Sequence, residues 1–285
     1  EAVLRTFEGD QIVGSIFETL RKNKLLEGYQ LNRRIVDHNR SSRGIHLNTL
    51  TDLEQNPSEE QLILLSTLNV AKGALFGSGG LLVNKKGNTE YHHSPRLSLT
   101  NIVASSNYKK RPLVRNPFKN DTMCNRIETI SGDALNFGWP LKASLIATNA
   151  LVAMIETGRI NELPTVSYAK AVSSAINVGK YGYRGKMVIT RGETESNELS
   201  IKVLTEICET ILESDDKSLL LDTESRTTLE EIIDVADTVI RNPIDAQSNV
   251  ESIARHETLK RRMKSTGVDL GSESMCRVDY GWDLI

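Results

Sequence analysis

Arg126-Ile127-Glu128-Thr129-Ile130-Ser131-Gly132-Asp133-Ala134-Leu135-Asn136, followed by Phe137-Gly138-Trp139-Pro140 and an apolar run to Gly158, is the stretch that decides the fold. Residues two apart on a strand share a face, so a strand here points the Arg126 cation and the Glu128 carboxylate into the same space. Gly132 and Asp133 end the strand. Leu141, Leu145, Val152 and Ile155 then fall near helical spacing, which predicts a helix with one face turned inward. Gly158 suits the position just past its C-terminus. The unit is a polar strand, a loop and a buried helix, a rigid support for a charged site. A salt-bridged surface strand ahead of a core helix fits the same residues.

The rest of the chain sets the limits. At 285 residues it can hold one large domain or two smaller ones, with a sizeable core. A net charge of −2 gives no global reason to expect nucleic acid or a membrane surface, and 5% aromatic content disfavours a stacking platform for single strands. No uninterrupted apolar run reaches about 18 residues, and the start has no signal-peptide pattern. The three cysteines, Cys124, Cys208 and Cys276, are far apart and odd in number, which points to a reducing cytoplasm rather than a disulfide framework.

Taken in order, residues 9–24 predict a helix with Ile12, Val13, Ile16, Phe17 and Leu20 on one face. Residues 30–36 predict a strand, 37–44 a polar loop and 45–50 another strand. Ser58 and Gln61 form a capping-box pattern for a helix to about Lys72. Gly77-Ser78-Gly79-Gly80 reads as a flexible turn, since it lacks both the P-loop ending and the dinucleotide spacing. Strands are expected at 81–84 and 91–99, with His92 and His93 facing opposite ways as surface histidines. Residues 107–119 carry Lys109, Lys110, Arg111, Arg115 and Lys119, kept non-helical by Pro112 and Pro117. Arginines there suit carboxylate or phosphate; a solvated basic loop and a nucleic-acid patch are the other readings. Beyond Gly158, helices are expected at 165–176, 195–213, 227–240 and 246–264. A glycine- and tyrosine-rich loop falls at 179–185, a strand at 186–190, a linker at 214–218 and a short mixed tail at 277–285. This divides the chain into residues 1–213 and a small helical module at 219–285.

Several of these stretches, in this order, resemble the glutamine synthetase-like carboxylate–amine ligases, and more closely the ligase and depupylase pair that handle Pup, a prokaryotic ubiquitin-like tag. Ser42-Arg43-Gly44-Ile45-His46-Leu47-Asn48 is similar to the family's glycine–histidine–asparagine strand, and Gly77-Ser78-Gly79 to its glycine turn. Ser94-Pro95-Arg96 resembles its Ser-Gln-Arg element. Residues 105–113 resemble the segment that brings in a substrate- or phosphate-binding arginine. Arg126-Ile127-Glu128 with Gly132-Asp133 is similar to the Arg-x-Glu strand of glutamine synthetases, whereas the Pup enzymes usually have histidine at the Glu128 position. Glu198-Leu199-Ser200-Ile201 resembles the start of a later helix, and Arg277-Val278-Asp279-Tyr280 the end of the Pup enzymes' C-terminal domain.

The resemblance implies an α+β fold: a curved antiparallel sheet backed by helices, plus a small C-terminal helical domain. It implies ATP and Mg2+ as cofactors, and a small ubiquitin-like protein tag and a lysine-bearing protein as partners. The implied chemistry is phosphorylation of a carboxylate by ATP and displacement of phosphate by an amine. Arg111, Arg115 and Arg126 are the implied catalytic residues. His46, Arg96 and Arg126 would hold the nucleotide, and Glu128, His46 and Glu1 the metal. The family's paired glutamates and aspartate base are expected upstream of Glu1, and only Arg115 and Asp121 match the segment after the substrate arginine. Amide hydrolysis on the same scaffold, or a silent binding relative, is the alternative.

Overall fold

The computed structural model describes residues 2–25, 45–53, 56–84, 86–116, 125–214 and 221–282. The expected strand at 30–36, the polar loop before Ile45, the linker at 215–218, the end of the basic stretch and Glu1 all lie outside the described residues.

The main sheet has four strands in the order β1-β6-β5-β4, made of Ile45–Thr51 (β1), Asn125–Gly132 (β6), Pro112–Val114 (β5) and Ile102–Ala104 (β4). β6 is antiparallel to β1 and β5, while β4 and β5 run parallel. Ile127 and Thr129 are buried toward the helices, as alternation requires, and Thr49 on the same face of β1 donates to Asn149 of the helix behind. That helix, α3 (Gly138–Glu156), follows β6 as the sequence predicts, and Gly158 takes the left-handed conformation after it (φ +72°). By length and composition α3 could cross a membrane, yet most of it is buried in the core. Beside it packs α2 (Glu59–Ala71), whose start is the expected capping box: Ser58 Oγ accepts from Gln61 N at 3.2 Å and Gln61 Oε1 from Ser58 N at 2.9 Å. α1 (Ala2–Lys22) begins earlier than predicted, and Ile12, Val13 and Ile16 on it are exposed.

Several boundaries differ from the sequence reading. β2 (Gly80–Val83) and β3 (Thr89–His92) form the expected hairpin, but the strand read as 91–99 stops at His92 and a 3-10 turn covers Leu97–Leu99. The glycine turn is closely packed: a Cβ on Gly77 would overlap the His93 carbonyl, and Gly79 has φ +69°. Thr165–Val166 (β7) pairs with Lys186–Arg191 (β8), so the helix expected from 165 starts only at Ala171 (α4, Ala171–Tyr181). Residues 195–199 belong to strand β9 (Thr194–Leu199), because pairing with β8 outcompetes the helical pattern; α5 runs over Ser200–Ser214. The glycine–tyrosine stretch is the end of α4 and a 3-10 turn at Gly182–Arg184. α6 (Thr223–Arg241) starts before the expected 227, and α7 (Glu251–Thr266) starts after the expected 246, where a 3-10 turn over Pro243–Ala246 comes first; a further helix, α8 (Glu273–Trp282), runs into the expected tail.

The core is shared. Leu229, Ile232, Ala236 and Val239 of α6 join Leu64, Leu65, Leu68, Leu151 and Ile155 in one apolar cluster. Burial of each such side chain contributes about 1.5–3 kcal/mol. Polar contacts fasten α7 and α8 to the rest. Glu251, fully buried, accepts from Asn136 N at 2.6 Å, Phe137 N at 3.2 Å and Trp282 Nε1 at 3.0 Å. Phe137 caps α3 without a side-chain bond of its own, so a carboxylate from α7 completes that helix start. Arg255 Nε donates to Asp279 Oδ1 at 2.8 Å, Arg255 Nη2 to the Asp279 carbonyl at 2.7 Å, and Leu81 N to Asp279 Oδ2 at 3.1 Å.

Candidate functional site

Residues 46 and 48 of β1 and 126 and 128 of β6 lie on the face turned away from α3. Asn48 pairs directly with Glu128, and Leu50 with Arg126. Between Thr129 and Gly132 β6 takes three steps while β1 takes two from Ile45 to Leu47, a bulge next to the polar cluster. His46 Nδ1 lies 2.6 Å from Glu128 Oε1, and Arg115 Nη1 donates to Glu128 Oε2 at 3.1 Å. Arg115 N also donates to the Glu128 carbonyl at 2.9 Å, so β5 delivers that arginine in register. Glu128 is 5% exposed. Three residues singled out from the sequence therefore meet. Arg126 stands two residues before Glu128 on the same strand, half-buried.

A second group sits where β6 ends. Asp133, buried, accepts from Ser78 N at 3.2 Å and Arg96 N at 3.0 Å. It ties the glycine turn and the turn after β3 to the end of the main sheet. Burial pushes its pKa up to about 6, against the pull of those donors. Arg96 is 3% exposed, and its Nε and Nη1 are buried with no hydrogen-bond partner. Burial lowers its pKa to about 10, with the Arg111 charge adding to the effect. Arg111 itself has φ +51°, an uncommon conformation for a side chain with Cβ; Pro112 after it bars the right-handed helical region. Strain of about 1–3 kcal/mol at such a residue is characteristic of functional sites.

Two buried N–H groups on a cation are costly unless an anion meets them. Arg96 therefore fits a phosphate or carboxylate oxygen, with Arg111 adding charge. The metal reading fares differently. Among the described residues no group of three His, Cys, Asp or Glu could hold an ion. Both oxygens of Glu128 are engaged by His46 and Arg115. These residues do not by themselves fit a magnesium site, and Glu1 lies outside the described residues.

Sequence reasoning read Asp133 as a strand end and part of the family-like stretch but not as a site residue, because its partners are 37 and 55 positions away and leave no local pattern. It also placed both histidines of β3 on the surface. His92 is half-buried on Ser98 Oγ at 2.8 Å, and His93 is buried, its Nδ1 3.1 Å from Ser252 Oγ. The difference arises because α7 covers that edge of the hairpin.

A family model described as Pup-ligase protein matches residues 1–285. Among solved structures, the Pup ligase PafA in complex with ADP superposes with a TM-score of 0.76 at 16% identity, covering 98% of this chain and 61% of that one. The complex between Pup and its ligase PafA gives 0.76 and 16%, over 96% of this chain and 56% of that one. The chain thus spans about three-fifths of the solved chains it matches, and at this identity the likeness is one of fold. No curated protein matches it.

Proposed function

Because the chain belongs to the Pup-ligase protein family, we propose that it acts as an ATP-dependent carboxylate–amine ligase, joining a glutamate side chain of a small ubiquitin-like tag to a lysine. A tag carboxylate oxygen attacks the γ-phosphorus of ATP, and the bond to the bridging oxygen breaks to release ADP. The lysine amine then attacks the acyl phosphate, loses a proton, and phosphate leaves as the isopeptide forms. Phosphoryl transfer of this kind depends mostly on positioning and on charge stabilisation.

Arg96 carries the reading. Its buried N–H groups without a partner suit the non-bridging oxygens of a phosphoryl group. Arg111 and Arg115 would balance charge on the transferred group, and Arg126 would extend the positive face along β6. Glu128 would hold Arg115 and His46 in place, with His46, whose side chain is 40% exposed, toward the nucleotide. No step here runs through a metal. In this reading residues 1–213 are the catalytic-type domain and 219–285 a helical domain docked on it. The buried Cys208 thiol supports work in the cytoplasm.

The test is calorimetric ATP binding by the complete protein and its Arg96→Ala variant. The variant should bind ATP at least about tenfold more weakly, the loss of charge-assisted hydrogen bonds. Equal affinity in a folded variant overturns the assignment of Arg96.

A further inference from the structure

A cavity of about 230 Å³ opens between α4, the 3-10 turn that follows it, and α7. No residue of the Glu128 or Asp133 groups lines it. Its floor is His93, 8% exposed, whose Nδ1 is taken by Ser252 Oγ, leaving Nε2 as the ring's remaining polar atom. His256 stands across from it with ring centroids 5.6 Å apart, and is itself stacked on Tyr91 at 4.4 Å. Tyr183 meets the His93 ring edge-on at 5.8 Å and forms a further aromatic wall.

Cations ring the opening. Lys180 is paired with Glu90 at 2.6 Å and Lys260 with Glu257 at 2.8 Å. Arg184 lies over the Tyr183 ring at 5.2 Å, which fixes its guanidinium at the rim, and no carboxylate pairs with it among the described residues. The rim therefore carries one positive charge beyond its internal pairs. That field reaches the floor. His93 is pushed down to about 3 and His256 to about 4, first by burial and then by neighbouring positive charges, Arg184 and Lys260 among them. At neutral pH both rings are neutral hydrogen-bonding groups that do not repel the cations. Among the described residues no metal-binding group of three forms here.

A histidine ring edge facing the cavity, aromatic walls and surplus positive charge together define a ligand. We infer that this cavity binds a small ring-bearing oxyanion, its carboxylate or phosphate on Arg184 and the ring edge of His93, and its ring against Tyr183. The volume lies below the roughly 300 Å³ of drug-sized sites, which restricts the ligand to about one ring and its acidic group. Arg184 suits both oxyanions because its fork can bond two oxygens at once.

Calorimetry with benzoate, phenyl phosphate and phenol on the complete protein tests this. One saturable site is expected for benzoate or phenyl phosphate, and phenol should bind far more weakly. The tighter of the two anions identifies the acidic group. A variant with Arg184→Ala and Lys260→Ala, both at exposed positions, should lose about tenfold or more in anion affinity while its ATP affinity is unchanged. Arg184→Lys should restore only part of the loss. No saturable binding by either anion, equal binding by the double variant, or phenol binding as well as the anions would each overturn the inference. So would displacement of the anion by ATP, which would place it on Arg96 instead.

Discussion

Two buried arginines in this chain meet opposite fates. Arg255 is locked: its Nε and Nη2 reach the carboxylate and carbonyl of Asp279, whose other oxygen takes Leu81 N. Arg96 is as deeply buried, yet its Nε and Nη1 have no partner. A charge that serves the fold is closed by fixed partners. A charge that serves a ligand is kept open and held by its backbone, here through Asp133. The same contrast separates Glu251, whose donors all come from the chain's own helix ends, from the rim of the His93 cavity.

The comparison can be broken most directly at the locked arginine. Asp279→Ala leaves Arg255 buried without its carboxylate, keeping only the backbone carbonyl at that position, and should cost about 3–5 kcal/mol in urea unfolding. A loss near zero would mean the pair is no clasp. Arg96→Ala should behave in reverse, with stability changed little and ATP affinity reduced by about 1.5–3 kcal/mol. If unfolding instead shows Arg96→Ala as damaging as Asp279→Ala, the distinction between open and closed arginines fails.

Lys72 tests a third situation, a buried cation with a single neutral partner. Its Nζ donates to Thr148 Oγ1 at 2.9 Å, and burial lowers its pKa from 10.5 to about 7. Between those values the unfolded chain binds more protons than the folded one, so this residue makes stability rise with pH across that interval. Below about 7 its penalty is fully present. Lys72→Met should therefore stabilise the protein by about 1–3 kcal/mol at neutral pH and below, with the gain fading as pH climbs toward 10.5. A gain that does not depend on pH would assign the effect to packing alone. The smallest effect belongs to the capping box: Ser58→Ala should cost about 1 kcal/mol, and Ser58→Asp should recover most of it in the same unfolding assay.

What could be read from the sequence follows the range of the interactions. The parity that puts Glu128 and Arg126 on one face and the box at Ser58 and Gln61 are set within a few residues, and both stand as read. The strand expected through 91–99 and the helix from 195 went wrong where pairing or covering by distant segments overruled the local pattern. His93 was placed on the surface because nothing near it announces Ser252, 159 positions on. The site divides the same way. His46, Arg115 and Glu128 were nominated individually, but their junction required β5, β6 and β1 to come together. Asp133 needed three separate turns.

The Glu251 contact also bears on the order in which the molecule can be completed. The amides of Asn136 and Phe137, which lead into α3 just downstream of the strand that carries Glu128, receive their carboxylate from Glu251, more than a hundred positions later. During synthesis that helix must leave the ribosome with its leading amides still facing water. The support behind the candidate site is then finished only when the final stretch of chain arrives, so a nascent or C-terminally clipped protein would hold every residue of the arginine cluster without the scaffold that fixes them.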